Sequence, residues 1–519
     1  MTSVSRALLR SLEALARPFL GPSGRHLALG LPIVLAISVF YMFMASAGTF
    51  RDLRRQSTYN LMAEGFERGH LYVPQKPSPK LLAQEDPLHP SNKPLWMWDA
   101  TLYDGHVYLY WGPVPALLTW AFKAVTGYAG KISDQTLTLA FALGRLFAGA
   151  GLLLGLGRFV RIRQPAWIVG LAIAVFGLTS PMPFIVARPY VYEACLMAGQ
   201  CFLFAGLAFA FWGLAYPARR SLKLIAAGCF WGLAIGSRVT MSIPVPLMIL
   251  ATVALIWFYG DRSWRTLVRN GLALGGPPAV ALMSYAAYNY MRFGSVTEFG
   301  VTWQMTTQKF VTNDAWVMPN IFSYLFAPAE WSCDFPFVKG IRRRPLSTMI
   351  KWPADYETAE LVAGVMVLSA WCWLIVVAAW RPIGAIWRSL RRPGLPTTSS
   401  PCLPELWASA CAVAIILSMV PVLGLWEASM RYAGDAVGGV VLLTTLTAFW
   451  LLRRADAASS LGIRLGTRAV IILLGLHSCL VGAASGVASY KDPFKQHNPA
   501  LYEELQRTLS VCKSGARLP

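Results

Sequence analysis

The sequence predicts an all-α polytopic membrane protein, with about eleven transmembrane helices, surface helices and a small hairpin in the first outer loop. Composition is the first reason. Of 519 residues, 55% are hydrophobic and 14% charged, whereas soluble domains carry roughly 25% charged residues. Apolar length is the second. Runs of roughly 18 or more apolar residues recur along the chain, each able to cross about 30 Å of hydrocarbon. The ~10-residue alternating segments of a β-barrel do not recur in series. The third is where the charge lies. A net charge of +21 suggests nucleic acid at first sight. The cations, however, sit in short segments between apolar runs, which is a signature of membrane topology. The bilayer is therefore an expected partner and nucleic acid is not.

Taken in order, the spans fall near 27–48, 136–157, 166–183, 191–215, 222–238, 241–259, 270–290, 358–380, 404–425, 433–452 and 469–490. The first run, His26 to Gly48, exceeds the 7–15 residues of a signal-peptide core, so it is read as a retained span. With the N-terminus inside, the inner segments are 1–26, 158–165, 216–224, 260–269, 381–403 and 453–468. Each holds three or four Lys or Arg, 21 in all, against the acids Glu13, Asp261 and Asp456. The first outer segment, 49–107, has seven basic and seven acidic residues. The pattern is positive-inside throughout. Residues 1–490 are read as one transmembrane domain in the cytoplasmic (inner) membrane, and 491–519 as an outer C-terminal tail.

The apolar stretch Tyr108–Gly127 is not counted as a span. A crossing there would move Arg158, Arg161 and Arg163 outside and invert every later loop. Gly112-Pro-Val-Pro115 starts a helix well and interrupts one badly. The segment is expected to lie along the outer membrane surface.

Two outer segments are long, 49–135 and 291–357, and distinctive chemistry is expected there. In the first, Tyr59, Met62, Ala63 and Phe66 recur at helical spacing before Gly69, predicting a surface helix. Six prolines between Val73 and Pro94 predict loop or extended chain. From Trp96 the residues alternate up to Asp104-Gly105 and on through Tyr110, a strong hairpin signal. Asp104 is the turn residue. Asp99 is placed inside a strand, where no local backbone need explains a carboxylate.

The order of "TYNLMAEGFERGHLYV", "WGPVPALLTWAFKAVTG" and "LGRLFAGAGLLLGLGRFVR" resembles GT-C-fold membrane glycosyltransferases. The likeness is to the family 39-like branch of protein O-mannosyltransferases and the lipid A aminoarabinose transferase. "GLAIGSRVT" (232–240), "YNYMRFGSVTEFG" (288–300) and "MRYAGDAVG" (430–438) are similar to a bacterial subgroup. The resemblance implies a GT-C-like fold and a polyprenyl-phosphate sugar donor. It also implies a lipid, glycan or protein acceptor at the outer face. A carboxylate would take the acceptor proton and cations would stabilise the leaving phosphate. The family's acidic pair ahead of the helix tyrosine is replaced here by Arg55 and Gln56. The candidate bases are therefore Asp99, Asp52 and, behind them, Asp86.

Cations at the outer ends of spans are exceptions to the positive-inside pattern. Arg145, Arg188, Arg238, Arg292 and Arg431 are such exceptions, and are candidates for a donor-phosphate clamp. Structural pairing is the competing reading, with Arg188–Glu193, Arg292–Glu298 and Arg431–Asp435 as the sequence-near pairs. Arg238 has no near acid and, with Arg145, ranks highest. His70, His89 and His106 lack ligand spacing, so no protein-built zinc site and no cofactor is expected; the resemblance leaves open a divalent metal held by Asp52 and Asp99 with substrate phosphate. The aromatics from Trp96 to Trp111 suit sugar stacking or interface anchoring. The basic run 340–345 suits anionic head groups, an anionic acceptor, or plain solvent. A Cys333–Cys512 disulfide is one option among the nine cysteines. Alternative functions are a transporter or flippase of a lipid-linked or anionic solute, and a GT-C-like protein that binds without turnover.

Overall fold

The computed structural model describes residues 24–53, 56–159, 164–260, 262–307, 311–341, 352–353, 356, 360–379, 403–489 and 492–512. Arg55, the arginines of the 340–345 run, the inner segment 381–402 and most of 1–26 lie outside the described residues.

The chain is an all-α membrane-spanning bundle. α1 (Gly24–Ala45) leads to the surface helix α2 (Thr58–Glu67), the hairpin β1 (Thr101–Tyr103) and β2 (His106–Tyr108), and α3 (Val114–Thr126). α4 (Asp134–Phe159), α5 (Ala166–Leu178), α6 (Met182–Ala187), α7 (Val191–Ala215), α8 (Arg220–Ser237), α9 (Pro244–Phe258) and α10 (Trp264–Phe293) follow. The second outer segment carries α11 (Val317–Phe326), β3 (Ala329–Trp331) and β4 (Val338–Gly340). α12 (Val365–Leu368), α13 (Leu403–Ile416), α14 (Gly434–Asp456) and α15 (Leu461–Val487) return to the bundle, and α16 (Pro493–His497) and α17 (Pro499–Leu509) form the tail. The core is packed chiefly by α4 on α7, α7 on α8, α8 on α10, and α13 on α14.

Among the described residues, seven stretches are long and apolar enough to cross a membrane: Arg25–Ala45, Asp134–Phe159, Val191–Ala215, Val239–Phe258, Leu403–Leu423, Gly434–Asp456 and Leu461–Val487. The other expected spans differ in form. α8 has 18 residues and α10 has 30. The 166–183 span is broken, because α5 stops before Ser180-Pro181 and restarts as α6. Proline has no N–H to continue the helical ladder. Over 358–380 the described residues form α12 and the short apolar helix Ala370–Ala379.

α3 does not cross. Its 13 residues reach only about 20 Å. Val114, Pro115, Ala116 and Thr119 are buried, while Leu117, Trp120, Phe122 and Val125 are exposed, the division expected of a helix lying on a bilayer surface. The chain enters α3 through Gly112, where a Cβ would sit 2.1 Å from the Gly236 carbonyl oxygen at the end of α8. Only glycine allows that approach. The surface helix α2 is pinned to span α4. The Asp134 carboxylate accepts from the backbone N–H of Thr58 (2.9 Å) and Tyr59 (3.2 Å), capping α2 from another element.

The hairpin forms with Thr101 opposite Tyr108 and Tyr103 opposite His106. Asp104 (φ 47°) and Gly105 (φ 70°) make the turn, as their tolerance of positive φ predicts. The strands are three residues each, shorter than the alternation from Trp96 to Tyr110 suggests. The missing length is replaced from the other outer segment. Met305 N–H donates to the Ala100 carbonyl (2.8 Å), Leu102 N–H to the Trp303 carbonyl (3.0 Å), and Thr101 Oγ1 to the Gly300 carbonyl (2.8 Å). The two outer segments thus share one small sheet-like core.

The tail docks on the same side. Cys333 and Cys512 are disulfide-bonded, with Cα atoms 5.6 Å apart. Val511 N–H donates to the Cys333 carbonyl (2.9 Å), and Tyr502 packs on Phe335. Asn498 Nδ2 reaches the Ala47 carbonyl (3.0 Å), just past α1. At the opposite end of the bundle Arg453 pairs with Glu405, and Arg468 with Asp456 (2.8 Å).

Candidate functional site

The helix directions bring one set of ends together beneath the outer segments. α7 starts there, α8 ends there, and α14 starts there. Arg188 precedes α7 and Glu193 lies in its first turn; Arg238 follows α8; Arg431 and Asp435 flank the start of α14.

Arg188 and Arg431 form the centre of a four-member charge cluster. Arg188 Nη1 lies 2.8 Å from Glu360 Oε1 and 3.6 Å from Glu193 Oε1. Arg431 lies 3.0 Å from the same Glu360 oxygen and 3.7 Å from the same Glu193 oxygen. Ser429 Oγ donates to the other Glu360 oxygen. The two carboxylates are 1% and 4% exposed, and the arginines 14% and 16%, so the guanidinium groups form the more open edge. Tyr192 links this cluster to a second pair. Its ring lies 4.3 Å beneath the Arg431 guanidinium, and its hydroxyl accepts from Arg238 Nη2 (3.0 Å). Arg238 Nε meets both Asp435 oxygens at 2.7 Å, and Thr240 Oγ1 donates to Asp435 at 3.1 Å.

Asp99, from the first outer segment, lies within electrostatic range of this cluster. It lies not within a strand but in the turn before β1, at φ 63°. That left-handed backbone is uncommon for a side-chain-bearing residue, though aspartate is among those that tolerate it. The second outer segment holds it in place. Asp99 N–H donates to the Met305 carbonyl (3.1 Å), and Gln304 Nε2 donates to Asp99 Oδ1 (3.2 Å). Asp99 is half-buried, and burial raises its carboxyl above the ordinary range; the nearby Arg431, the Gln304 amide and Arg188 oppose that rise without cancelling it. Tyr110 is raised well above the ordinary phenol range, first by burial and then by the Asp99 charge.

The other candidates lie apart from this cluster. Asp52 accepts from Ser133 Oγ at 2.9 and 2.8 Å, which ties the chain after α1 to the start of α4. Asp86 accepts from the Leu88 backbone N–H (2.9 Å), a local turn contact. Arg292 donates to the Leu109 carbonyl (2.8 Å) and to Asn289 (2.8 Å), bracing the hairpin. Arg145 is deep in the bundle. Its guanidinium carbon lies 4.0 Å from the Phe176 ring centre and 5.4 Å from that of Phe204, and Nη1 donates to the Phe176 carbonyl (3.2 Å). Its Nε and Nη2 have no hydrogen-bond partner among the described residues.

Two of the sequence-near pairings are replaced by distant ones. Arg431 takes Glu360 and Glu193 rather than Asp435, which belongs to Arg238. Glu298 turns to the Gly300 N–H and Thr302 hydroxyl instead of contacting Arg292. Glu360 and Gln304 were not singled out by sequence. A lone acid entering the apolar run "ELVAGVMVLSAW" was the available signal for Glu360. Nothing local marked Gln304. No cluster of three or more metal-ligating side chains occurs among the described residues.

No family model and no curated protein matches the chain. Among solved structures, the chain is similar to ArnT from Cupriavidus metallidurans bound to undecaprenyl phosphate. The identity is 13% and the TM-score 0.46, over 94% of this chain and 81% of that one. It is also similar to the oligosaccharyltransferase AglB from Archaeoglobus fulgidus in complex with an inhibitory peptide and a dolichol-phosphate. There the identity is 12% and the TM-score 0.43, over 94% of this chain and 61% of that one. The chain thus spans less than two thirds of the archaeal protein.

Proposed function

We propose that the chain is a membrane glycosyltransferase that moves a sugar from a polyprenyl-phosphate donor to an acceptor hydroxyl at the outer face. One observation carries the reading: Asp99, held by both outer segments, lies within electrostatic range of Arg431, Arg188 and Glu360 at the ends of the spans. A carboxylate raised toward neutral pH suits a general base. It would take the acceptor proton as the acceptor oxygen bonds to the anomeric carbon. The bond from that carbon to the phosphate oxygen breaks, and its electron pair leaves with the lipid phosphate. Arg188 and Arg431 would stabilise that charge with planar donor forks. Both are already paired with carboxylates, so a phosphate monoanion would share or displace Glu193, whose oxygens have no hydrogen-bond partner among the described residues. Arg238 would hold Tyr192 under Arg431.

The positive-inside pattern supports placing this face outside the cytoplasmic membrane. The Cys333–Cys512 bond agrees, because disulfides persist in oxidising compartments. The test is transfer from radiolabelled polyprenyl-phosphate sugars by the purified full-length protein, with membrane extracts as acceptor. Transfer by the native protein and its loss in Asp99→Asn are expected. Absence of transfer or hydrolysis with every common sugar donor would overturn the assignment. Uptake or scrambling of a lipid-linked sugar in liposomes, unaffected by Asp99→Asn, would favour the transporter instead.

A further inference from the structure

A cleft of about 270 Å³ opens in the two outer segments that hold Asp99, lined by residues 75–78, Leu81, Leu95, Trp96, Met97, Val107 and Met305. We propose that it is the subsite for the sugar end of a glycan acceptor, a proposal that rests on the transferase reading above.

Four observations point there. The floor is apolar and fixed: Leu81, Val107 and Met305 are all buried, within the small core shared by the two outer segments. One wall is the Trp96 indole. Its N–H is already committed to the Pro87 carbonyl (2.9 Å), so what the ring adds to the lining is apolar surface rather than a free donor. The rim is polar, with Gln75 and Lys76 exposed and Ser78 half-buried, and Lys76 forms no ion pair among the described residues. An apolar face under a polar rim matches a sugar ring, which has C–H faces and a hydroxyl edge.

Position decides between acceptor and donor. No residue of a membrane-spanning helix lines the cleft, so it offers no path for a prenyl chain. Its Met97 lies two residues before Asp99, and the carbonyl of its Met305 accepts the Asp99 N–H. A glycan end seated there is delivered to the proposed base from the aqueous side. The volume is slightly under the roughly 300–1,000 Å³ of drug-sized sites, so it takes the end of a chain rather than a whole ligand.

The test is saturation-transfer NMR on the full-length protein in nanodiscs, with chitotriose, mannotriose and trigalacturonate as probes and no donor present. Binding of at least one trisaccharide is expected, with affinity falling on the order of fivefold to tenfold in Trp96→Ala and in Lys76→Glu. Lys76 is exposed, so its variant reports on binding even if Trp96→Ala loosens the loop. No signal from any probe, or equal affinity in both variants, would overturn the subsite. Since the readout needs no turnover, binding here combined with no transfer from any donor in the radiolabel assay would sink the transferase reading and leave the cleft as a glycan-binding site without an acceptor role.

Discussion

Arg431 and Arg145 are both largely enclosed guanidinium groups, yet their surroundings differ in kind. Arg431, at the outer rim, has carboxylates from α7 and from the segment before α12, plus a tyrosine ring beneath it. Arg145, in the bundle, has one backbone carbonyl and two phenylalanine faces, and no carboxylate partner among the described residues. Charge is balanced in the first place by counter-ions that leave an open edge. In the second it is only softened by ring faces. Poised chemistry needs the first arrangement; the second fastens helices to one another.

The largest expected effect tests the rim. Asp99→Asn removes the proposed base and keeps the shape, so transfer is expected to fall roughly 10²–10⁴-fold, with unchanged elution on size-exclusion chromatography. Full activity in that variant would detach Asp99 from the chemistry.

The next contrast sets the two arginine environments against each other. Glu360→Gln leaves Arg188 and Arg431 facing each other with one carboxylate, and losing one partner of a buried pair costs about 3–5 kcal/mol. Arg145→Met strands no counter-ion and gives up a cation–π contact of about 0.5–2 kcal/mol, partly offset by removing a buried charge. Thermal unfolding in nanodiscs should therefore drop clearly for Glu360→Gln and little for Arg145→Met. The reverse order would mean that Arg145 has a counter-ion of its own.

The tail offers a smaller effect. The Cys333→Ser, Cys512→Ser double variant releases a cross-link across 179 residues. It is expected to lose about 2–4 kcal/mol, the typical contribution of such a bond. Thermal unfolding with and without reductant reads this directly, since only the native protein should respond to reductant.

The smallest effect is on pH dependence. Asp99 sits above the ordinary carboxylate range, chiefly through burial. Its folded form therefore holds a proton longer than the unfolded chain does. The associated stability is full below the ordinary carboxylate pKa and is lost as pH rises through the raised value. Activity runs the other way, falling as pH drops through that value and the base is protonated. Gln304→Ala removes a donor to the charged form, so the acid limb of the pH–rate profile should shift to higher pH. A profile identical to the native one would show that Gln304 does not tune this carboxylate.

What the sequence made legible follows from the range of the interactions. Most span positions, the surface helices and the Asp104-Gly105 turn depend on neighbours a few residues away, and these were readable. The break at Ser180-Pro181 was missed, because the apolar run around the proline hid its signal. Pairing was not readable. Arg238 finds Asp435 across 197 residues, and Gln304 finds Asp99 across 205. Sequence distance correctly suggested Arg188 with Glu193 and misled for Arg431 and Arg292. Asp99 was singled out because nothing local explained it. The structure supplies an explanation that is entirely non-local: a left-handed turn fixed by the other outer segment.

The disulfide also sets an order of events. Cys512 follows every described span in the chain, while its partner sits in the segment between α11 and α12. On the proposed topology, the second outer segment stays uncrosslinked until α15 has crossed and the tail has reached the same side. A chain ended between Val487 and Cys512 would keep all of its described spans. It would still lack the clasp on the segment that supplies Met305 and Gln304. Tags, truncations and tail variants chosen as harmless would then act at a distance, loosening the surface against which Asp99 is held.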